Sequence, residues 1–107
     1  MFHMMSCFSL ADGVSVEELE ARLQRFVQAC ESEGLINAAS PLGVRQQHPV
    51  MDTDPRPFSH CFSLSFADRA HCDVAVKRFF AERYAEKDAH ESLFAAIHEP
   101  QFYCWED

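Results

Sequence analysis

A chain of 107 residues is the size of one domain with a high surface-to-volume ratio, and nine Lys and Arg against seventeen Asp and Glu give it a net charge of -8. That charge repels phosphate backbones and anionic lipid, so neither nucleic acid nor a membrane surface is an expected partner, and no apolar run approaches the ~20 residues of a spanning helix. The five cysteines (Cys7, Cys30, Cys61, Cys72 and Cys104) are odd in number and lack a Cys-x-x-Cys pair, which suggests neither a disulfide framework nor a zinc knuckle. They read as small buried hydrophobes in a reducing cytoplasm, and with no basic, apolar leader the expected location is cytoplasmic.

Phe2 to Leu10 alternates with a period of two, which predicts a strand with Phe2, Met4, Phe8 and Leu10 on one side and His3, Met5, Cys7 and Ser9 on the other. Ala-Asp-Gly at 11 to 13 turns the chain, and Ser15 with Glu18 forms a capping box that starts a helix. Its apolar stripe is Val16, Leu19, Leu23, Phe26, Val27 and Cys30, with Glu17, Glu18 and Glu20 at the positive end of the dipole and Gly34 as a C-terminal stop. Pro41 and Gly43 interrupt Leu35 to Gln47, as an edge strand with a bulge or bend requires. His48 to Pro57, with three prolines, Asp52 and Asp54, predicts an exposed loop; Asp52-Thr53-Asp54 lacks the Gly and Glu of a calcium loop and reads as a solvated turn.

Phe58 to Phe66 is the strictest alternation in the chain. Phe58, His60, Phe62, Leu64 and Phe66 lie on one side and Ser59, Cys61, Ser63 and Ser65 on the other. Asp68 predicts the cap of a second helix with Cys72, Ala75, Val76, Phe79 and Phe80 facing inward. Asp88 with Glu91 suggests a further capping box, for a short third helix carrying His90, Leu93, Phe94 and Ile97 on one side and ended by Pro100. Phe102 to Trp105 is the last predicted strand. The order β-α-β-β-α-β, with a helical insert before the last strand, is α+β and ferredoxin-like: a single domain over residues 1–107, with a four-stranded antiparallel sheet, helices on one face and the first and third strands in the middle. The second face is then uncovered in a protomer.

The opening Met-Phe-His-Met-Met-Ser-Cys-Phe, the order of elements, a histidine before the last strand and an acidic end after it resemble the dimeric α/β-barrel superfamily. The nearest branch is the stress-responsive A/B-barrel proteins, with cofactor-free antibiotic-biosynthesis monooxygenases and haem-degrading oxygenases as more distant relatives. The resemblance implies a homodimer whose two sheets face each other around a cavity, with the branch's strand-one histidine at His3 and its late helical histidine at His90. This chain has Lys87-Asp88-Ala89-His90 where that branch often carries His-Pro before the helical histidine.

The candidate ligand cavity on the non-helical face comprises His3, Met5, Cys7, Ser59, Cys61 and Ser63 with Tyr103 and Trp105 of the last strand, and His90 if its ring reaches the same space. An apolar cavity with a few convergent polar groups and aromatics is the usual form of a small-molecule site, whereas the bland alternative is a dry dimer interface. His3 and His90 are the candidate catalytic residues: meeting in the cavity they would be an acid/base or metal-ligand pair, and apart they are structural. His60 is expected to be structural on the helix-facing side, and His48, His71 and His98 exposed. Cys7 and Cys61 are expected to be inert, with no Lys or Arg evident beside them. No Gly-rich phosphate loop, Ser/His/Asp set or metal-spaced His pair is visible, so no cofactor is expected. Two functions follow. One is a stress-responsive-like protein binding a small apolar or aromatic molecule; the other is a cofactor-free monooxygenase-like, or haem-degrading, enzyme using a cavity histidine.

Overall fold

The computed structural model describes residues 1–80 and 85–107, without the side chains of 85–87. β1 spans Phe2–Leu10, the residues whose alternation predicts it. α1 spans Val16–Ser32, and the Ser15 hydroxyl accepts the Glu18 N–H at 3.1 Å. Its other end closes as a Schellman motif: Gly34 N–H donates to Glu31 O, Leu35 N–H donates to Cys30 O, and Gly34 takes φ 66°. β2 (Ala38–Ala39) and β3 (Gly43–Val44) are two short pieces on the same side of β4 (His60–Phe66), the interrupted edge that Pro41 and Gly43 predict. α2 (Arg69–Phe79) starts where the Asp68 carboxylate accepts the His71 N–H at 2.8 Å. α3 covers Ala85–Ala95, and β5 runs from Ile97 to Glu106.

The sheet order is β2-β4-β1-β5, with β3 also on β4, and β4 and β5 both run antiparallel to β1. Among the described residues three helices cover one face, α3 packing against α1, α2 and β5. The core between them contains Phe8, Leu19, Leu23, Phe26, Phe62, Leu64, Phe66, Ala75, Phe79 and Leu93. Full burial of one such Phe or Leu contributes about 1.5–3 kcal/mol, so this layer dominates the folding energy. The alternation of β4 is visible in its burial: His60, Phe62, Leu64 and Phe66 are buried, and Cys61, Ser63 and Ser65 only partly.

Four local expectations fail. Asp88 is not a cap but lies within α3, which begins by Ala85; the segment 81–84 leading into that helix lies outside the described residues. Pro100 does not end the helix, which stops at Ala95, and it sits instead inside β5 near Glu99, whose φ is 49°. The register slips between Cys7 and Ser9, and that bulge lets an edge strand carry a proline. On α2, Cys72, Ala75 and Phe79 are buried, whereas Val76 and Phe80 emerge at its edge, Phe80 being 70% exposed. His71 is half-buried, its ring bonded to Ala67 N–H and the Gly34 carbonyl.

Candidate functional site

On the non-helical face the register of β1 with both neighbours assembles most of the expected set. His3 lies opposite Ser65 and Trp105, Met5 opposite Ser63 and Tyr103, and Cys7 opposite Cys61 and Gln101. His3 is held on both sides: Nδ1 is 2.9 Å from Ser65 Oγ, Nε2 is 2.9 Å from Asp107 Oδ2, and the ring stacks on Trp105 with centroids 5.0 Å apart. The chain therefore does bring a Ser, a His and an Asp together. Those bonds fix the ring's orientation and occupy both of its nitrogens, as in a structural histidine. Tyr103 and Trp105 are 40% and 45% exposed, so this face is open at the β5 side.

The other end of that face is covered by the loop after β3. Arg45 folds back so that Nε and Nη2 each donate to the Asp52 carboxylate at 2.8 Å, while further bonds reach the carbonyls of Asp54, Arg56 and Phe58; its guanidinium lies 4.0 Å over the Phe58 ring. Arg56 is tied to Asp54 and lies 5.9 Å from the Tyr103 ring centre. Asp52 and Asp54 are thus half-buried anchors rather than a solvated turn. The Arg56 side chain and backbone hold the Asp54 carboxyl down at about 2. Cys7, Cys61, Met5 and Tyr103 line a hollow of about 550 Å³ with Arg45 and Arg56, so two guanidinium groups stand near the thiols where none is evident from the sequence. Burial and the neighbouring Cys61 push the Cys7 thiol above its ordinary value, against the opposing pull of Arg45 and Arg56. Ser59 turns aside, its hydroxyl 2.8 Å from His60 Nδ1, and His60 is buried on the helix-facing side.

His90 is not part of this face. Its ring lies under the helices, stacked on Phe79 at 4.9 Å and 8° and surrounded by Phe26, Phe80 and Phe94. The sheet separates it from His3, so the two histidines form no pair. Burial among these rings pushes the His90 imidazole below its ordinary value, slightly opposed by Glu91. Beside it is a pocket of about 310 Å³, whose walls include Met4, Phe62, Leu64, Phe79, Leu93 and Phe102. Among the described residues, His90 and Ser6 bring polarity into that wall. Ser6 is 2% exposed, so its hydroxyl is enclosed in this wall, while His90 is half-buried. Ser6 was legible only as a hydroxyl on the otherwise large-residue parity of β1.

No family model matches the chain, and no curated protein matches it. Solved structures do. A protein from Arabidopsis thaliana, At3g17210, is similar with a TM-score of 0.79 at 12% identity, over 100% of this chain and 95% of that one. The hydroxynitrile lyase of Passiflora edulis gives 0.70 at 12% identity, over 97% and 90%. A dimeric ferredoxin-like protein of unknown function from Thermobifida fusca gives 0.65 at 6% identity, over 97% and 88%. At such identities the likeness establishes the fold. The chain has the α+β ferredoxin-like fold of these proteins, in agreement with the resemblance to dimeric α/β barrels. Among the described residues no helix is long and apolar enough to cross a membrane.

Proposed function

We propose that the protein is a homodimer that binds a small apolar or aromatic molecule, with the ligand in the pocket beneath the helices rather than on the open sheet face. The observation that carries this reading is an apolar pocket with two polar side chains, Ser6 and His90, in its wall. A ligand carrying one hydroxyl or carbonyl group can hydrogen-bond to either side chain, a bond that contributes about 0.5–1.5 kcal/mol net. Six phenylalanines in the wall favour a flat ring. The open face then serves the dimer. It is a contiguous surface of Met5, Tyr103, Trp105 and small side chains, and similar solved structures are described as dimeric.

A second reading, proton transfer by His90, has its own support. The depressed His90 keeps a neutral ring available at the pocket wall, and one similar structure is a lyase. It takes the place of a monooxygenase-like or haem-degrading reaction through His3, whose nitrogens are both engaged.

A native mass spectrum of the purified protein, followed by thermal melts with small aromatic alcohols and ketones, tests the binding reading. A dimer, with retained mass or a melting shift that Ser6→Ala and His90→Phe reduce, is expected. A ligand at one hundred times its dissociation constant stabilises by about 2.7 kcal/mol, which a melt resolves easily. A monomer removes the assembly, and ligand shifts indifferent to both substitutions remove the pocket.

A further inference from the structure

Cys7 and Cys61 are opposite each other on the central strands β1 and β4. The kind of opposition follows from the backbone. On β4, Ser63 and Ser65 use their carbonyls to accept from Ser40 and Asn37, each at 2.8 Å, so its odd-numbered residues turn their backbone groups away from β1. On β1, Met1 O accepts from Asp107 N–H, and just past the strand Ala11 N–H donates to Ala96 O, so its odd-numbered residues turn toward β5. Cys7 and Cys61 therefore form a non-hydrogen-bonded pair, the closer of the two antiparallel kinds, with Cα atoms typically ~4.5 Å apart. That spacing lies inside the window of roughly 4.4–6.8 Å that a disulfide spans. Both side chains lie on the same face and line the same open hollow, with the guanidinium groups of Arg45 and Arg56 in its wall. Both are free thiols, Cys7 buried and Cys61 half-exposed.

We propose that Cys7 and Cys61 are a peroxide-sensitive dithiol that closes to an intrachain disulfide between the two central strands. Cys61, half-exposed in a protomer where Cys7 is buried, reacts first, which requires the hollow to stay open to peroxide in the dimer proposed above. Its sulfur attacks hydrogen peroxide, the O–O bond breaks, and a sulfenic acid and one water form. The Cys7 sulfur then attacks the Cys61 sulfur, the S–O bond breaks, the S–S bond forms, and a second water leaves with the Cys7 proton. Two thiols are oxidised by two electrons and one peroxide is reduced to two waters. Arg45 and Arg56 oppose the burial of the Cys7 sulfur only in part, and its thiol stays above its ordinary value, so closure quickens as the pH rises.

The full-length protein, treated with hydrogen peroxide, alkylated and mapped by peptide mass, gives the answer. Expected are a loss of about 2 Da per chain for the two hydrogens removed, reversal by dithiothreitol, and one peptide pair joined through Cys7 and Cys61. Cys61→Ser abolishes that pair, while Cys104→Ser leaves it intact. The competing thiols are Cys72 and Cys104, which lie near each other on the helix side. A bond mapped only to Cys72 and Cys104, a covalent link between protomers, or sulfinic acid without any disulfide overturns the proposal.

Discussion

His90 shows how far one side chain's role depends on its surroundings. Its helical spacing with Leu93 and Phe94 predicts an inward ring, and the ring does point inward, but into a set of phenylalanines instead of toward His3. In the unfolded chain an imidazole titrates near 6.5, and burial depresses His90 below that. As pH falls through 6.5 the unfolded chain takes up the proton first, so stability is lost; the loss levels off once pH lies below the folded value. His90→Phe removes this contribution and keeps the stack on Phe79. Urea unfolding of both proteins from pH 8 to pH 5 should show a difference that is constant above 7.5 and grows in the variant's favour below 6.5. A flat difference throughout would mean that the ring is not desolvated.

At the scale of elements, the ends of α1 were written most plainly. Ser15 and Gly34 act locally, through their own backbone and the adjacent turn, and no long-range contact can override them cheaply. Ser15→Ala should cost about 1 kcal/mol through the lost Glu18 amide bond. Gly34→Ala should cost about 1–2 kcal/mol, because an added Cβ there meets nothing within 4 Å and only the left-handed backbone resists it. Chemical denaturation measures both, and no change in Gly34→Ala would mean that the C-terminal turn relaxes. β5 is the opposite case. Pro100 and Glu99 argue locally for a break, yet pairing with β1 from Leu10 back to Phe2 draws the strand out to Ile97. The Arg45 loop was equally hidden, since a guanidinium gathering carbonyls as far along as Phe58 has no local periodicity.

For the whole molecule, the decisive feature is the two-sidedness of the sheet. One side is closed by α1, α2 and α3; the other carries Met5, Ser63, Tyr103 and Trp105 toward whatever covers it. On the dimer reading, Ser63→Glu or Trp105→Glu places a charge in a buried interface, which costs far more than the same charge in water. Sedimentation at micromolar concentration should find both variants shifted to monomer with helix content retained. Trp105 is 45% exposed in one protomer, so its substitution leaves the protomer's own core intact. Unshifted dimers would show that the protomers meet elsewhere.

The sequence by itself determined the α+β class, the order of elements, the alternation of β1 and β4 and the caps of α1 and α2. Each depends on residues within a few positions of one another, where period and capping chemistry act directly. Only the tertiary structure decided which groups meet. Pairing Cys7 with Cys61, His3 with Ser65 and Asp107, and His90 with Phe26 requires register and helix placement across long separations in the chain. These are set by burying the whole core at once, which no local pattern encodes.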